Sequence, residues 1–135
     1  MIEVTCAIVL NKNTFLVLQK QEETEHPLMW EFPGGKIKSN ESSEECIQRE
    51  IKEELEIEIE IFEKLKPVQF DYGFRKIELI PFLCSPKSLQ IKLNEHKDFE
   101  WIQLKDLKRV QLLDADKKLI QIPENFEILK KYLRK

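Results

Sequence analysis

Glu50, Glu53 and Glu54 are related by three and four positions, the spacing at which side chains on an α-helix rise from neighbouring points on one side. Carboxylates gathered in this way repel one another, by about a few tenths of a kcal/mol per exposed pair and by more when partly desolvated. The arrangement therefore calls for a counter-charge. Oxygen-only donors select a hard divalent cation, Mg²⁺ or Mn²⁺, and Mg²⁺ commonly keeps several waters while bridging carboxylates to phosphates. Arg49, next in sequence, can orient one of the acids through a bidentate pair. The plain alternative is a solvated acidic helix face, an ordinary feature in a chain with 35% charged residues.

Such a site needs a helix to carry it and a sheet to hold it. Asn40, Ser42 and Ser43 offer N-cap oxygens, and strong helix formers run from Ser43 to Leu55. Ile47, Ile51 and Leu55 recur every fourth residue on the face adjoining the acids, which predicts a helix anchored by packing. Two of the three glycines, Gly34 and Gly35, precede this helix and by themselves predict only a tight turn. Upstream, Val4 to Leu10 and Thr14 to Gln19 flank the turn signal Asn11-Lys12-Asn13 and predict a β-hairpin. A polar loop from Gln21 to His26 comes next, ending at Pro27. Downstream, Ile57 to Ile61 alternates with period two, and further strands are expected at Val68–Tyr72 and Ile77–Cys84, joined through Gly73, and at Gln90–Leu93 and Phe99–Leu104. Helical patterning begins at Asp114, breaks at Pro123 and resumes at Glu124, with Phe126, Leu129 and Leu133 on one stripe.

At 135 residues the chain fits one compact domain, residues 1–135, able to bury a core without disulfide or structural metal. Twenty-two Lys plus Arg against 25 Asp plus Glu leave a formal charge of -3, so no global basic field exists to hold polymeric nucleic acid. Cys6, Cys46 and Cys84 are odd in number and widely spaced, which predicts buried, reduced thiols rather than a zinc set. Neither a signal-peptide pattern nor a stretch long enough to span a membrane is present, so a cytoplasmic protein without a membrane partner is expected.

From Gly35 the chain reads Gly35, five residues, Glu41, seven residues, then Arg49-Glu50-Ile51-Lys52-Glu53-Glu54-Leu55-Glu56-Ile57. This resembles the box of the Nudix hydrolases, Gly-x5-Glu-x7-Arg-Glu-U-x-Glu-Glu-x-Gly-U, with U a bulky aliphatic residue. Glu56 is the one departure, standing where the family has glycine. At the end of a helix that glycine serves as a left-handed cap, so glutamate would cost about 1 kcal/mol or require another exit. The resemblance implies an α+β fold, an α/β/α sandwich with a mixed sheet between helices. It also implies metal ligation by Glu50, Glu53 and Glu54 with Gly35 in the metal set, an orienting role for Arg49, and support of the box by Glu41.

Trp30-Glu31-Phe32-Pro33-Gly34-Gly35-Lys36 is similar to the MutT-like branch, which cleaves nucleoside triphosphates, oxidised ones included, to the monophosphate and pyrophosphate. On that resemblance Lys20 and Lys36 would lie near phosphates, with Phe32, Tyr72 and Arg75 near the base or phosphates. Asp116 would accept from an exocyclic amine of the base; the plain alternative is a helix N-cap, for which Asp114 is the better candidate of the two. A further carboxylate for the metal or for general-base duty is assigned to Glu100, with Glu95 as its rival, and Glu53 shares the base candidacy. The implied activity is Mg²⁺-dependent hydrolysis of (deoxy)nucleoside triphosphates, with Mn²⁺ able to substitute and with a monomer or homodimer as the working unit. Two alternatives stand beside it. One is hydrolysis of another nucleoside diphosphate-X substrate, such as a nucleotide sugar, a dinucleoside polyphosphate or an RNA 5′ end. The other is a non-catalytic nucleotide-binding regulatory module.

Overall fold

The computed structural model describes residues 1–133. The elements in chain order are β1 (Ile2–Asn11), β2 (Thr14–Gln19), β3 (Trp30–Glu31), β4 (Gly34–Lys36), α1 (Ser43–Leu55), β5 (Ile59–Lys64), β6 (Val68–Asp71), β7 (Lys76–Pro86), β8 (Asp98–Ile102), α2 (Asp114–Gln121) and α3 (Pro123–Tyr132). The sheet is mixed. β1 runs parallel to β7, while β5 and β6 lie antiparallel on β7 and β8 lies antiparallel on β2.

The hairpin predicted at the N-terminus forms around Lys12-Asn13, with Leu10 opposite Phe15 and Lys12 at φ 57°. Past that pair β1 and β2 separate, and the segment from Trp30 to Lys36 fills the opening. β3 pairs with β2, placing Glu31 opposite Leu18, and β4 pairs with β1, placing Gly35 opposite Thr5. The gap between two diverging strands is thus where the glycine pair is held.

Period-two alternation sorts side chains into two cores. Ala7, Val9, Leu16, Leu18, Ile80 and Phe82 pack with Ile47, Ile51 and Leu55 of α1. On the other face Cys6, Ile8, Phe15, Val17, Phe32 and Leu79 pack with Leu119 of α2 and Leu129 of α3. Helices on both sides of a mixed sheet make the expected α/β/α sandwich. All three cysteines are free and buried, as their spacing predicted.

The structure differs from the sequence reading in several strands: β3 and β4 form where none was expected, and β8 ends at Ile102, short of Leu104. No strand forms over Gln90–Leu93; its backbone turns to α1 instead, with the Lys92 N–H donating to Leu55 O at 3.0 Å. The strand after α1 starts at Ile59 rather than Ile57 because Glu56 occupies the left-handed region, φ 56° and ψ 35°, and its N–H donates to Lys52 O. A cap that glycine would make without strain is made here by glutamate.

Candidate active site

α1 starts where the capping oxygens are. Ser42 is the N-cap and forms a capping box with Glu45, the serine hydroxyl accepting from the Glu45 N–H at 3.1 Å and the Glu45 carboxylate from the Ser42 N–H at 2.8 Å. With the helix start set and its apolar stripe buried, Glu50 and Glu54 are directed at the glycine pair. The Gly34 N–H donates to Glu54 Oε1 at 3.1 Å. A Cβ at Gly35 would stand 2.3 Å from the Glu50 carboxyl carbon, and one at Gly34 would stand 2.0 Å from the Thr5 carbonyl oxygen. Gly34 is therefore required by the backbone of the neighbouring strand, whereas a side chain at Gly35 would displace the Glu50 carboxylate from its place.

Arg49 organises this cluster. Its Nε and Nη2 grip both oxygens of Glu41 at 3.0 and 2.7 Å, while Nη1 donates to Glu50 at 3.0 Å and to Glu53 at 3.1 Å. The guanidinium holds the Glu41 carboxyl down at about 2, with help from the Lys38 N–H. Glu54 is in the opposite condition. It is buried, and burial together with the charges of Glu31, Glu50 and Glu95 pushes its carboxyl up to about 9. Burial likewise raises Glu50. Glu50, Glu53 and Glu54 on one side of α1 are hard oxygen donors, so the residues present fit a divalent metal ion. Among the described residues no three acidic, histidine or cysteine side chains already converge as a ligand set; Glu50 and Glu53 each give an oxygen to Arg49.

Two of the expected metal-site residues lie elsewhere. The Gly35 carbonyl accepts from Thr5 Oγ1 at 3.2 Å and lies 3.6 Å from Cys46 Sγ, so it points into the protein; what Gly35 contributes is the absent side chain beside Glu50. Glu100 is opposite Val17 on β2, on the face of the sheet away from α1, and pairs with Arg109. Its neighbours Phe99 and Trp101 take the α1 face, and alternation sends the residue between them the other way. The rival, Glu95, acts electrostatically on both Glu50 and Glu54. It comes directly after Asn94, whose N–H donates to Glu54 O at 3.1 Å and whose Nδ2 donates to Glu53 O at 2.8 Å. The segment expected to be a strand thus serves to seat an acid at the end of α1.

Lys20, Phe32, Lys36, Tyr72, Arg75 and Asp116 all line one cavity of about 210 Å³ that opens beside the glycine pair. Asp116 is buried and accepts the Phe32 N–H at 2.8 Å through Oδ2, and burial together with the charge of Glu31 pushes it up to about 8. It is not a helix cap: α2 has Leu113 at its N-cap with no side-chain hydrogen bond. Tyr72 accepts the Ala115 N–H at 2.9 Å and stacks on Phe74 at 6.2 Å, and Arg75 pairs with Glu25 at 3.0 Å. Sequence reasoning missed Glu31 and His26, which line the same cavity. For Glu31 a signal existed: adjacent strand residues point to opposite faces, so an apolar Trp30 turned to one core implies a Glu31 turned to the other.

The NUDIX domain model matches residues 2–122. The chain is similar to a CTP pyrophosphohydrolase of Escherichia coli strain K12, 29% identical over 121 residues that cover 90% of each protein. It is also similar to an 8-oxo-dGTP diphosphatase of Buchnera aphidicola subsp. Schizaphis graminum, 31% identical over 105 residues covering 78% of this chain and 79% of the relative. Among solved structures, the MutT protein of Methanosarcina mazei Go1 superposes with a TM-score of 0.82 at 27% identity, covering 99% of this chain and 96% of the other.

Proposed function

Since the chain belongs to the NUDIX family, we propose that it is a metal-dependent hydrolase of phosphoanhydride bonds in nucleoside triphosphates, oxidised ones such as 8-oxo-dGTP included, with the monophosphate and pyrophosphate as products. The observation that carries this reading is the junction at Gly34-Gly35. One side of it touches the acidic helix through Glu50 and Glu54, and the other opens on the cavity lined by Phe32, Tyr72 and Asp116. Relatives carrying the names CTP pyrophosphohydrolase and 8-oxo-dGTP diphosphatase support a nucleoside triphosphate as substrate.

Glu50, Glu53, Glu54 and Glu95 would hold the divalent cation, Mg²⁺ or Mn²⁺, which when bound neutralises the phosphate chain and acidifies water. The protein's part is positional. Arg49, locked by Glu41, keeps the acids of one helical turn in register, so that Glu53 or Glu95 can take the proton of the attacking water. Lys20 and Lys36 border the cavity as point charges for phosphate oxygens. Tyr72 and Phe32 would offer aromatic surface for a base, and Asp116, which lines the same cavity, would meet a base edge.

The test is release of pyrophosphate from a panel of nucleoside triphosphates and nucleoside diphosphate-X compounds. Turnover should vanish with chelator and return with Mg²⁺ or Mn²⁺, and Glu53→Gln should lower kcat by about two to three orders of magnitude with the fold retained. Near-normal turnover by that variant would refute the assignment. Release of pyrophosphate from none of the panel would refute the activity.

A further inference from the structure

One buried polar side chain beside the site has no part in the chemistry proposed above. The His96 side chain is 7% exposed, its Nε2 lies 2.8 Å from Glu31 Oε2, and its Nδ1 is buried with no partner among the described residues. It ends the segment fastened to the last turn of α1 by the Lys92 and Asn94 N–H groups, directly after Glu95. Glu31 is the side chain of β3 that faces α1, and it also lines the nucleotide cavity. Both of its polar contacts fall on the same oxygen: Lys20 Nζ approaches Oε2 at 3.9 Å. Oε1 receives no hydrogen bond from the described residues.

We propose that His96 is a positioning residue that clamps Glu31 by Oε2 and thereby keeps Oε1 available at the boundary between the acidic helix and the nucleotide cavity, where Glu31 acts as a fifth carboxylate supporting the bound cation. The inference rests on the metal-dependent reading above and adds two residues that the box motif does not contain. Three features of the structure fit it. Glu31 stands opposite Leu18, which packs against α1, and it lines the same cavity as Gly34, whose N–H donates to Glu54. The clamp arrives on the same segment as Glu95, which ties the placement of both acids to the end of α1. A histidine whose only bond goes to a carboxylate, with the second ring nitrogen buried and unpaired, holds that carboxylate in one orientation.

The decisive measurement is Mn²⁺ alone titrated into nucleotide-free protein, with free Mn²⁺ counted by electron paramagnetic resonance, in His96→Leu, His96→Gln, Glu31→Gln and the Glu31→Gln/His96→Leu double variant. Melting in chelator reports the fold of each. His96→Leu, which removes the donor, should weaken Mn²⁺ binding about tenfold or more. His96→Gln, whose amide N–H can replace Nε2–H, should restore it to within about threefold. Glu31→Gln should match His96→Leu, and the double variant should be no weaker than Glu31→Gln alone. Wild-type Mn²⁺ affinity in folded His96→Leu or in Glu31→Gln would overturn the proposal, as would losses that multiply in the double variant. If His96→Leu does not fold, the remaining pair decides: Glu31→Gln must lose affinity and His96→Gln must keep it. A protein that shows this Mn²⁺ pattern yet cleaves no nucleotide would refute the proposed activity and leave the clamp standing.

Discussion

Asp116 is a carboxyl that the fold keeps from ionising at neutral pH, held up at about 8 by burial and by the charge of Glu31. The unfolded chain loses this proton near the ordinary aspartate value, about 4. Between the two values the folded state binds more protons than the unfolded state, so stability falls as pH rises, with a slope of at most about 1.4 kcal/mol per pH unit from this residue. Its contribution is complete below about pH 4 and gone above about 8. Asn at this position can still accept the Phe32 N–H and has no proton to lose. In chelator, denaturant unfolding of Asp116→Asn should therefore give a flatter stability profile than wild type from pH 4 to 8, the variant gaining on the parent as pH rises; parallel profiles would refute the assignment. The role of Asp116 was suggested by the sequence, but its protonation was not, because burial depends on Phe32 and Glu31 arriving from 84 and 85 positions away. Glu100 and Glu95 show the same limit. The two acids are five positions apart; Glu100 is turned away from α1 by its phase in β8 opposite Val17, while Glu95, ahead of that strand, is set beside α1 by the hydrogen bonds of Asn94.

At the scale of elements, α1 was readable because each of its determinants is local: the Ser42 capping box, the four-residue apolar repeat, and the box acids between them. The chain beyond α1 was less readable because its path depends on where the helix stops and which residues cover its end. Gln90–Leu93 has strand-like composition, yet free carbonyls at a helix C-terminus need donors, and this stretch and its continuation supply them through Lys92 and Asn94. Glu56 marks the same end. In the left-handed region a residue with a Cβ costs about 1–2 kcal/mol, partly recovered because glycine is more costly to order from the unfolded chain. Its ion pair with Lys92, 3.7 Å long and exposed, contributes little. Glu56→Gly should therefore stabilise the protein by about 1 kcal/mol and raise its melting temperature by about 4 °C with turnover retained. A lower melting temperature would mean that the exit from α1 is shaped by the glutamate side chain.

For the whole molecule the sheet acts as a partition with one opening. On the α1 side lie Glu50, Glu53, Glu54 and Glu95, and on the α2 side lie Phe32, Tyr72 and Asp116, with Glu31 and the backbone of Gly34 and Gly35 at the boundary between them. A formally negative chain can take a negative substrate in this layout because its acids are concentrated where a divalent cation reverses the local sign. A nucleotide spanning the opening would meet two kinds of side chain that affect the reaction differently. On the proposed reading, those on the α2 side would contact parts of the substrate that do not change during hydrolysis, and so would bind ground state and transition state alike. Tyr72→Leu should then raise KM about tenfold with kcat within about twofold, and should alter the ranking of bases in a substrate panel. Glu53→Gln should do the reverse, lowering kcat while KM and base ranking stay close to wild type. Steady-state kinetics of the two variants on the same panel checks both outcomes. A fall in kcat for Tyr72→Leu equal to its loss in kcat/KM would show that the aromatic wall positions the reacting phosphates as well as the base, and the division of labour across the sheet would have to be abandoned.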